Sequence, residues 1–425
     1  MTLVLIMFVV LLFTGLPLYT NLGLCAVVFI YLGGFNPITA VQKISMAANS
    51  FQLLAAPFFI IMGNVMNNSG VTRRMFDFAN VLVGRLPGGL GHANVVASMM
   101  FAGMSGTAVA DAGGLGSIEI KAMRDSGYDD DFSCAITAAS SVIGPIIPPS
   151  LPMVILAVAA EASIGRMFLG GIVPGVLMGL SLMLMVSFYA RKRNYPRMPR
   201  PTLKTVWVAF REAFWALMAP IILFTGIFTG IFTPTEAAVV AAAYSLFLGL
   251  FVYREFTFRE IPRVIMATCD TTGVVLAMVM TASIFGWMLS VAQVPQAMSH
   301  ALLAVADSKF LVLIIINVFL LFVGMFMEAT AAILILTPIL IPVMTGMGVD
   351  QTQACLIMIM NLMVGVITPP VGVVLYVVSN VAKVSFERVT KATMPFLIPL
   401  FIVLILVTFF PPVTLFVPNL FFGAQ

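Results

Sequence analysis

Apolar segments of roughly 20 residues, the length an α-helix needs to cross a bilayer, recur along this chain and are broken at four places by Gly-, Ser-, Thr- and Pro-rich stretches. Hydrophobic residues fill 61% of the 425 positions and charged residues 9%, against roughly a quarter charged in soluble domains. Such a chain folds as an all-α polytopic membrane protein. The breaks are then its informative positions. GMSGTAVADAGGLGSI (Gly103 to Ile118) and SSVIGPIIPPSLPM (Ser140 to Met153) form one pair, GMFMEATAAILILTPIL from Gly324 and MVGVITPPVGVV from Met363 the other. Non-helical backbone at membrane depth is tolerated only where protein or a water-filled cavity meets its polar groups, which makes all four site candidates.

The two pairs are one arrangement used twice. An offset of 221 residues carries Gly103 to Gly324, Gly127 to Gly348, Asp129 to Asp350, Cys134 to Cys355, Gly144 to Gly365, Pro148 and Pro149 to Pro369 and Pro370, and Pro174 to Pro395. An unbroken register over about 70 residues indicates an internal repeat of the transporter type. Each repeat reads as a re-entrant hairpin followed by a broken helix. This divides the chain into residues 1–91 (scaffold helices and a first arm), 92–190 (repeat 1), 191–309 (basic loop, arms and scaffold helices), 310–411 (repeat 2) and a tail, 412–425.

Within that division, residues 3–20 and 22–34 are expected as two helices joined at Tyr19–Asn21, with a further helix over Phe51 to Met66. Val71, Met75, Phe78, Ala79 and Leu82 follow helical spacing on one face of a segment that also carries Arg73, Arg74 and Asp77, the pattern of a helix lying in the interface plane. Leu203 to Leu217 and Phe256 to Thr268 read the same way, each followed by a separate span, 218–232 and 270–290. The first segment lacks a charged leader and a small-residue cleavage site, so it reads as a spanning helix. Cys25, Cys134, Cys269 and Cys355 sit in apolar sequence at wide spacings and read as buried small hydrophobes.

Basic residues set the expected orientation. With RKRNYPRMPRP (from Arg191) placed inside, most of the 21 Lys and Arg also fall inside, leaving Lys43, Arg166 and Lys309 outside. Both termini then lie outside, and the hairpins enter from opposite faces. That is an inverted repeat, which can present one central site alternately to each side.

Half-helices that meet near the midplane point their terminal amides and carbonyls at one spot. Around the first break Gly103, Ser105, Gly106 and Thr107 would face Gly144 and Pro148; around the second, Met327, Glu328 and Thr330 would face Gly365, Thr368 and Pro369. Hydroxyls and carbonyls with few fixed charges suit a weakly held hard cation, so at least one sodium site per repeat is expected, with substrate between them. Small residues also serve close helix packing, but four breaks in register favour the site. Asp111, one turn past the first tip, is a candidate for substrate, cation or proton, or a helix-dipole charge. Glu328 could bind a cation or cap its helix. Glu236 and Asp270 read as caps, and His92 and His300 as surface or packing residues.

An enzyme is disfavoured: no GxxxxGK[ST] or HExxH motif is present and neither histidine has a nucleophilic partner in sequence. A passive channel fits inverted hairpins less well than alternating access does, and without an ATP motif an ion gradient is the expected energy source.

At these motifs the chain resembles the large membrane subunit of tripartite ATP-independent periplasmic (TRAP) transporters. The resemblance rests on GMSGTAVADAGGLGSI, VIGPIIPPS, IFTPTEAA (Ile231 to Ala238) and ITPPVG. It implies residence in the bacterial inner membrane, an elevator mechanism and sodium coupling. It also implies two partners, a small four-helix membrane subunit and a periplasmic substrate-binding protein that delivers an organic acid. Ser105 and Thr107 would lie in the first sodium and substrate region, with Asp111, Ser150 and Ser163 on the substrate. The sequence is similar to sialic-acid members, though four-carbon dicarboxylate members share these motifs. The competing reading is a stand-alone ion-coupled dicarboxylate or anion carrier without a binding protein. Nothing points to nucleic acid.

Overall fold

The computed structural model describes residues 2–305 and 308–423, with the side chains of residues 2, 103–105 and 303–305 outside the described set. Among the described residues the fold is helical throughout. Seven helices are long and apolar enough to cross a membrane, or eight if a pair bent by 49° over residues 38–68 counts as one span.

The first group comprises α1 (Thr2–Leu12), α2 (Leu18–Leu32), α3 (Ile38–Ala48), α4 (Ala55–Asn68) and α5 (Val71–Val83). The expected turn at Tyr19–Asn21 is wrong. The chain reverses at Phe13–Pro17, where Gly15 adopts φ +76° and Pro17 precedes α2. Asn21 instead lies inside α2, buried, and donates its amide to the Phe8 carbonyl across the hairpin (3.1 Å). α5 forms as expected: Val71, Met75, Phe78 and Ala79 are buried, while Leu82 is exposed.

Repeat 1 follows as α6 (Gly89–Ser105), α7 (Ala108–Gly113), α8 (Leu115–Asp125), α9 (Asp130–Ser141), α10 (Leu151–Ala159) and α11 (Ile164–Lys192). Repeat 2 is α16 (Lys309–Phe326), α17 (Ala329–Gly346), α18 (Gln351–Gly365), α19 (Val373–Ala382) and α20 (Phe386–Phe409). The 221-residue offset carries Ala108 and Asp125, the limits of α7 and α8, onto the limits of α17, and the start of α9 onto the start of α18. Pro148–Pro149 and Pro369–Pro370, equivalent by the same offset, are both cis.

Contacts between the repeats are reciprocal, as a two-fold relation requires: α7 packs on α19, and α10 packs on α17. Their ends establish the inversion. The base of hairpin 1 meets the C-terminal end of α11, where Arg193 pairs with Asp129 and Asp131 (2.9 and 3.0 Å) and Tyr128 donates to the Pro196 carbonyl. The base of hairpin 2 meets the opposite end: Gln351 donates to the Ala160 carbonyl just before α11, and Gln353 to the carbonyls of Val407 and Thr408 late in α20. The hairpins therefore enter from opposite ends of the molecule. Arg74–Glu255, Arg124–Asp130 and the Arg193 cluster gather at one end, and Lys43, Arg166 and Lys309 at the other.

Between the repeats run α12 (Leu203–Phe228), α13 (Pro234–Phe247), α14 (Ile261–Val291) and α15 (Val294–Val305). The expected division into interfacial helices and separate spans does not occur: α12 runs unbroken for 26 residues and α14 for 31. No helix-breaking pair separates the two halves of either, and Thr268 and Thr271 return their hydroxyls to the carbonyls four residues back. Asp270 therefore sits exposed inside α14 and caps nothing. Neighbouring Cys269 is likewise exposed, unlike Cys25, Cys134 and Cys355, which are buried as expected. Glu236 does cap, forming a reciprocal capping box with Thr233 at the start of α13, a motif worth about 1 kcal/mol. Buried His92 contacts Ser187 (3.1 Å), which makes it a packing residue. Residues 412–422 of the expected tail form a further helix, α21 (Pro412–Phe422), packed on α11.

Candidate functional site at the hairpin tips

Hairpin 1 turns at Gly106, whose φ of +66° is left-handed, a conformation Gly adopts without steric cost. Thr107 follows as N-cap of α7, its hydroxyl accepting the Ala110 N–H (3.2 Å). Gly103 and Ser105 are helical in backbone at the end of α6, and their side chains lie outside the described residues.

Opposite this tip is the break between α9 and α10. Its C-terminal side is closed by Ser150, which accepts the Met153 N–H and donates its hydroxyl to the Pro145 carbonyl (2.6 Å). The tip reaches the break as the sequence expects: a Cβ at Gly106 would stand 3.5 Å from Leu151 Cβ. Asp111, 2% exposed, lies against the break at Gly144, where a Cβ would fall 2.5 Å from Asp111 Oδ2. Gly144 is thus the residue that leaves room for the carboxylate. Ser163 stands apart from this group, as the exposed N-cap of α11 beyond the far end of α10.

In repeat 2, Glu328 is the N-cap of α17, accepting from the Ala331 N–H (3.1 Å) and the hydroxyl of buried Thr330 (3.0 Å). Thr368 donates its hydroxyl to the Val364 carbonyl (2.7 Å), leaving its oxygen lone pairs for another partner. The end of α16 is laid directly on the break. A Cβ at Gly365 would stand 2.6 Å from Gly324 Cα, and the Gly372 N–H donates to the Met325 carbonyl (3.1 Å). These contacts join Gly324 and Met325 to the break that contains Gly365, Thr368 and Pro369. Met327, Glu328 and Thr330 continue from there around the tip.

The tip of hairpin 1 also walls a cavity of about 140 Å³. Gly106, Thr107, Ala110, Pro149 and Leu151 line it from repeat 1, and Asn64, Asn67 and Thr271 are its polar residues from α4 and α14. None of the described lining residues is charged. Sequence reasoning missed the two asparagines. Their signal was present, since amides three residues apart on one face of an apolar helix are costly in lipid. A larger cavity of about 730 Å³ lies farther along α14, between Val279–Ser290 and α3 on one side and α10 and α17 on the other; Lys43 and Glu161 are its charged residues. The two cavities sit at different depths of one interface, that between the repeats and the remaining helices.

Outside the spans, Asp129 is held below the usual carboxylate range, first by the Tyr195 hydroxyl and then by Arg193. The Arg193 guanidinium is correspondingly held more firmly protonated, chiefly by Asp131.

Comparison with known proteins agrees with this geometry. Over 97% of both chains, the sequence is 45% identical to the sialic acid TRAP transporter large permease protein SiaM of Vibrio cholerae. It is 44% identical to the sialic acid TRAP transporter permease protein SiaT of Haemophilus influenzae, covering 98% of this chain and 68% of that one. Among solved structures, the YdaH transporter of Alcanivorax borkumensis, described as having an unusual topology, shares the fold with a TM-score of 0.62 at 14% identity, over 87% of this chain and 86% of that one. These relatives are named as transporters and permeases, not enzymes. The family model of the tripartite ATP-independent periplasmic transporter DctM component matches residues 5–413, and the chain belongs to that family as a TRAP large permease.

Proposed function

We propose that this permease takes up an organic acid of the sialic-acid type across the bacterial inner membrane, driven by a sodium gradient. The observation that carries the reading is the small cavity at hairpin 1. It offers Asn64, Asn67, Thr107 and Thr271 to hydroxyl and amide groups but no basic side chain to a carboxylate. An anion bound there needs positive charge from elsewhere, and sodium ions at the tips supply it. Thr107 and the carbonyls from Gly144 to Pro148, with Gly103, Ser105 and Gly106, form the first ion region. Met327, Glu328, Thr330, Gly365, Thr368 and Pro369 form the second. Asp111, Ser150 and Ser163 complete the substrate assignment, Ser163 from the outer end.

Residues 92–190 and 310–411 move together as an elevator against a scaffold of the remaining helices. The two cavities along their interface are consistent with access from alternate sides. α5 and the first turns of α12 act as arms, with the basic end inside and both termini outside. A small four-helix membrane subunit joins the scaffold, and a periplasmic binding protein delivers the acid to the outer face.

Reconstitution tests the whole reading. The chain and its small subunit in liposomes, with a sodium gradient and a binding protein loaded with sialic acid, should accumulate the acid only when all components are present. Uptake that persists without sodium contradicts the coupling. Uptake without any binding protein favours the stand-alone carrier.

A further inference from the structure

Away from the tip, α6, α8 and α9 meet at a polar cluster. Asn94 Nδ2 donates to Glu119 Oε2 (2.6 Å) and to Thr137 Oγ1 (2.8 Å), while Ser140 Oγ donates to Asn94 Oδ1 (2.7 Å). None of the four is more than 1% exposed. Glu119 Oε1 is buried without a hydrogen-bond partner. Repeat 2 has its own cluster at the equivalent place, since the 221-residue offset carries Ser140 to Asn361. There Asn361 Nδ2 and Thr408 Oγ1 both donate to Asn317 Oδ1 (2.8 and 3.1 Å). The second cluster is amides and a hydroxyl; the first contains an acid.

No cation among the described residues is paired with that acid. α8 packs against α5, α6, α7, α9 and α19. On α5, Arg73 pairs with Asp77 and Arg74 with Glu255; on α6, His92 contacts Ser187. On α9, Asp130 is taken by Arg124 of α8 itself and Asp131 by Arg193, and Cys134 is a buried thiol. Tyr376 of α19 stacks on Phe386, and Lys383 beyond it is exposed, as are Lys121 and Asp125 of α8. Asp111, on the adjoining α7, is likewise an acid, not a cation. A carboxylate withdrawn from water without a counter-charge is costly, and such a group takes a proton instead.

We propose that Glu119 holds a proton while hairpin 1 is docked, and that this proton makes the docking of hairpin 1 on its own broken helix sensitive to pH. The proton enters from solvent when the cluster opens, binds the unpartnered Oε1, and returns to solvent when the carboxyl ionises. Ionisation leaves an unpaired anion inside the buried cluster, so α8 loosens from α6 and α9. The docked form binds one more proton than the opened form, and docking therefore weakens as pH rises. Glu119 does not line the Thr107 cavity and is a positioning residue. The Asn317–Asn361 cluster of repeat 2, which contains no acid, is expected to be indifferent to pH.

Infrared titration of the purified wild-type chain, Asp111→Asn and Glu119→Gln is the primary test. A protonated-carboxyl band should be present at neutral pH in wild type and Asp111→Asn and missing in Glu119→Gln. On its loss at alkaline pH, amide exchange should speed up in α8 and not in α17. A band absent from wild type, or lost in Asp111→Asn, overturns the proposal even if Glu119→Gln fails to fold. The uptake arm rests on the transport reading. Glu119→Gln should remain within about twofold of wild type at neutral pH and lose the alkaline decline, whereas Glu119→Ala, which strands Asn94, should fall about tenfold. A Glu119→Gln protein that keeps the alkaline decline, or loses uptake tenfold, also overturns it. Absence of uptake in every protein, wild type included, counts against the transport reading and leaves the infrared result to decide.

Discussion

The two hairpins descend from one pattern but are held in different ways. Hairpin 2 returns through a single helix, α17, and adds backbone contacts with its break, Gly324 against Gly365 and the Gly372 N–H on the Met325 carbonyl, to the Asn361–Asn317 side-chain bond. Hairpin 1 returns through two pieces, α7 and α8, and meets its partner helices through side chains, Asp111 at Gly144 and the Asn94 cluster at α9. Backbone contacts tolerate little adjustment, because packed interiors have no slack. Side-chain contacts can be rearranged, hydrated or protonated. Among the described residues, the contact at the repeat-2 break is close backbone packing, whereas that of repeat 1 carries titratable side chains.

The largest expected effect is on stability in repeat 2. Gly365→Ala forces a Cβ onto the Gly324 backbone and should cost about 3 kcal/mol, read as a lower midpoint of thermal unfolding. Among the described residues, the Cβ of Gly144→Ala comes closest to the end of the Asp111 side chain, and the change should cost less than about 1 kcal/mol. Equal costs would break the comparison. Next, Asp111→Ala should lower uptake about tenfold, roughly 1.4 kcal/mol in transition-state terms. Thr107→Ala removes the cap of α7, costing about 1 kcal/mol, and should raise the sodium concentration needed for half-maximal uptake. Unchanged sodium dependence would take Thr107 out of the ion region.

The smallest effect is expected at the hairpin bases. Asp350 caps α18 through the N–H groups of Thr352 and Gln353, while its counterpart Asp129 turns to Tyr195 and Arg193. Arg193→Ala should cost roughly 0.5–1 kcal/mol, since the ion pairs are half-exposed. The loss should be present at neutral pH. Because Asp129 is held below the usual range, wild type loses the same stabilisation as pH falls through that lowered value, so the difference between the proteins should vanish in acid. A difference that persists in acid would show that Arg193 acts by packing on Tyr189 instead.

Much of this was legible because Gly and Pro punctuate the chain at positions that the fold uses. The constant offset located both hairpins and both broken helices to within a few residues, and the apolar face of α5 identified its buried side. Other features were hidden for physical reasons. The turn after α1 carries its signal in Gly15 and Pro17, but the hydrophobic flanks Phe13 and Leu16 masked it, and buried Asn21 drew attention to the wrong place. α12 and α14 begin amphipathic and become uniformly apolar, a change of pattern that does not end a helix, and α12 accommodates even Pro220, just past the expected boundary, without breaking. Glu119 stands in EIKAMRD, beside Lys121, Arg124 and Asp125, and in sequence it looks like one more charge at a solvated helix end. Only its packing beside Asn94 separates it from them.

An inverted repeat requires the two hairpins to open to opposite sides. Asp125 and Gly346 are equivalent by the 221-residue offset, and both are exposed at the hairpin bases. Single cysteines at these two positions, in a background with Cys269 replaced by Ser, can be labelled with a membrane-impermeant maleimide in sealed vesicles of known orientation. Asp125→Cys is expected to react only from the cytoplasmic side and Gly346→Cys only from the outer side; reaction of both from the same side would contradict the inverted repeat and the transport cycle built on it.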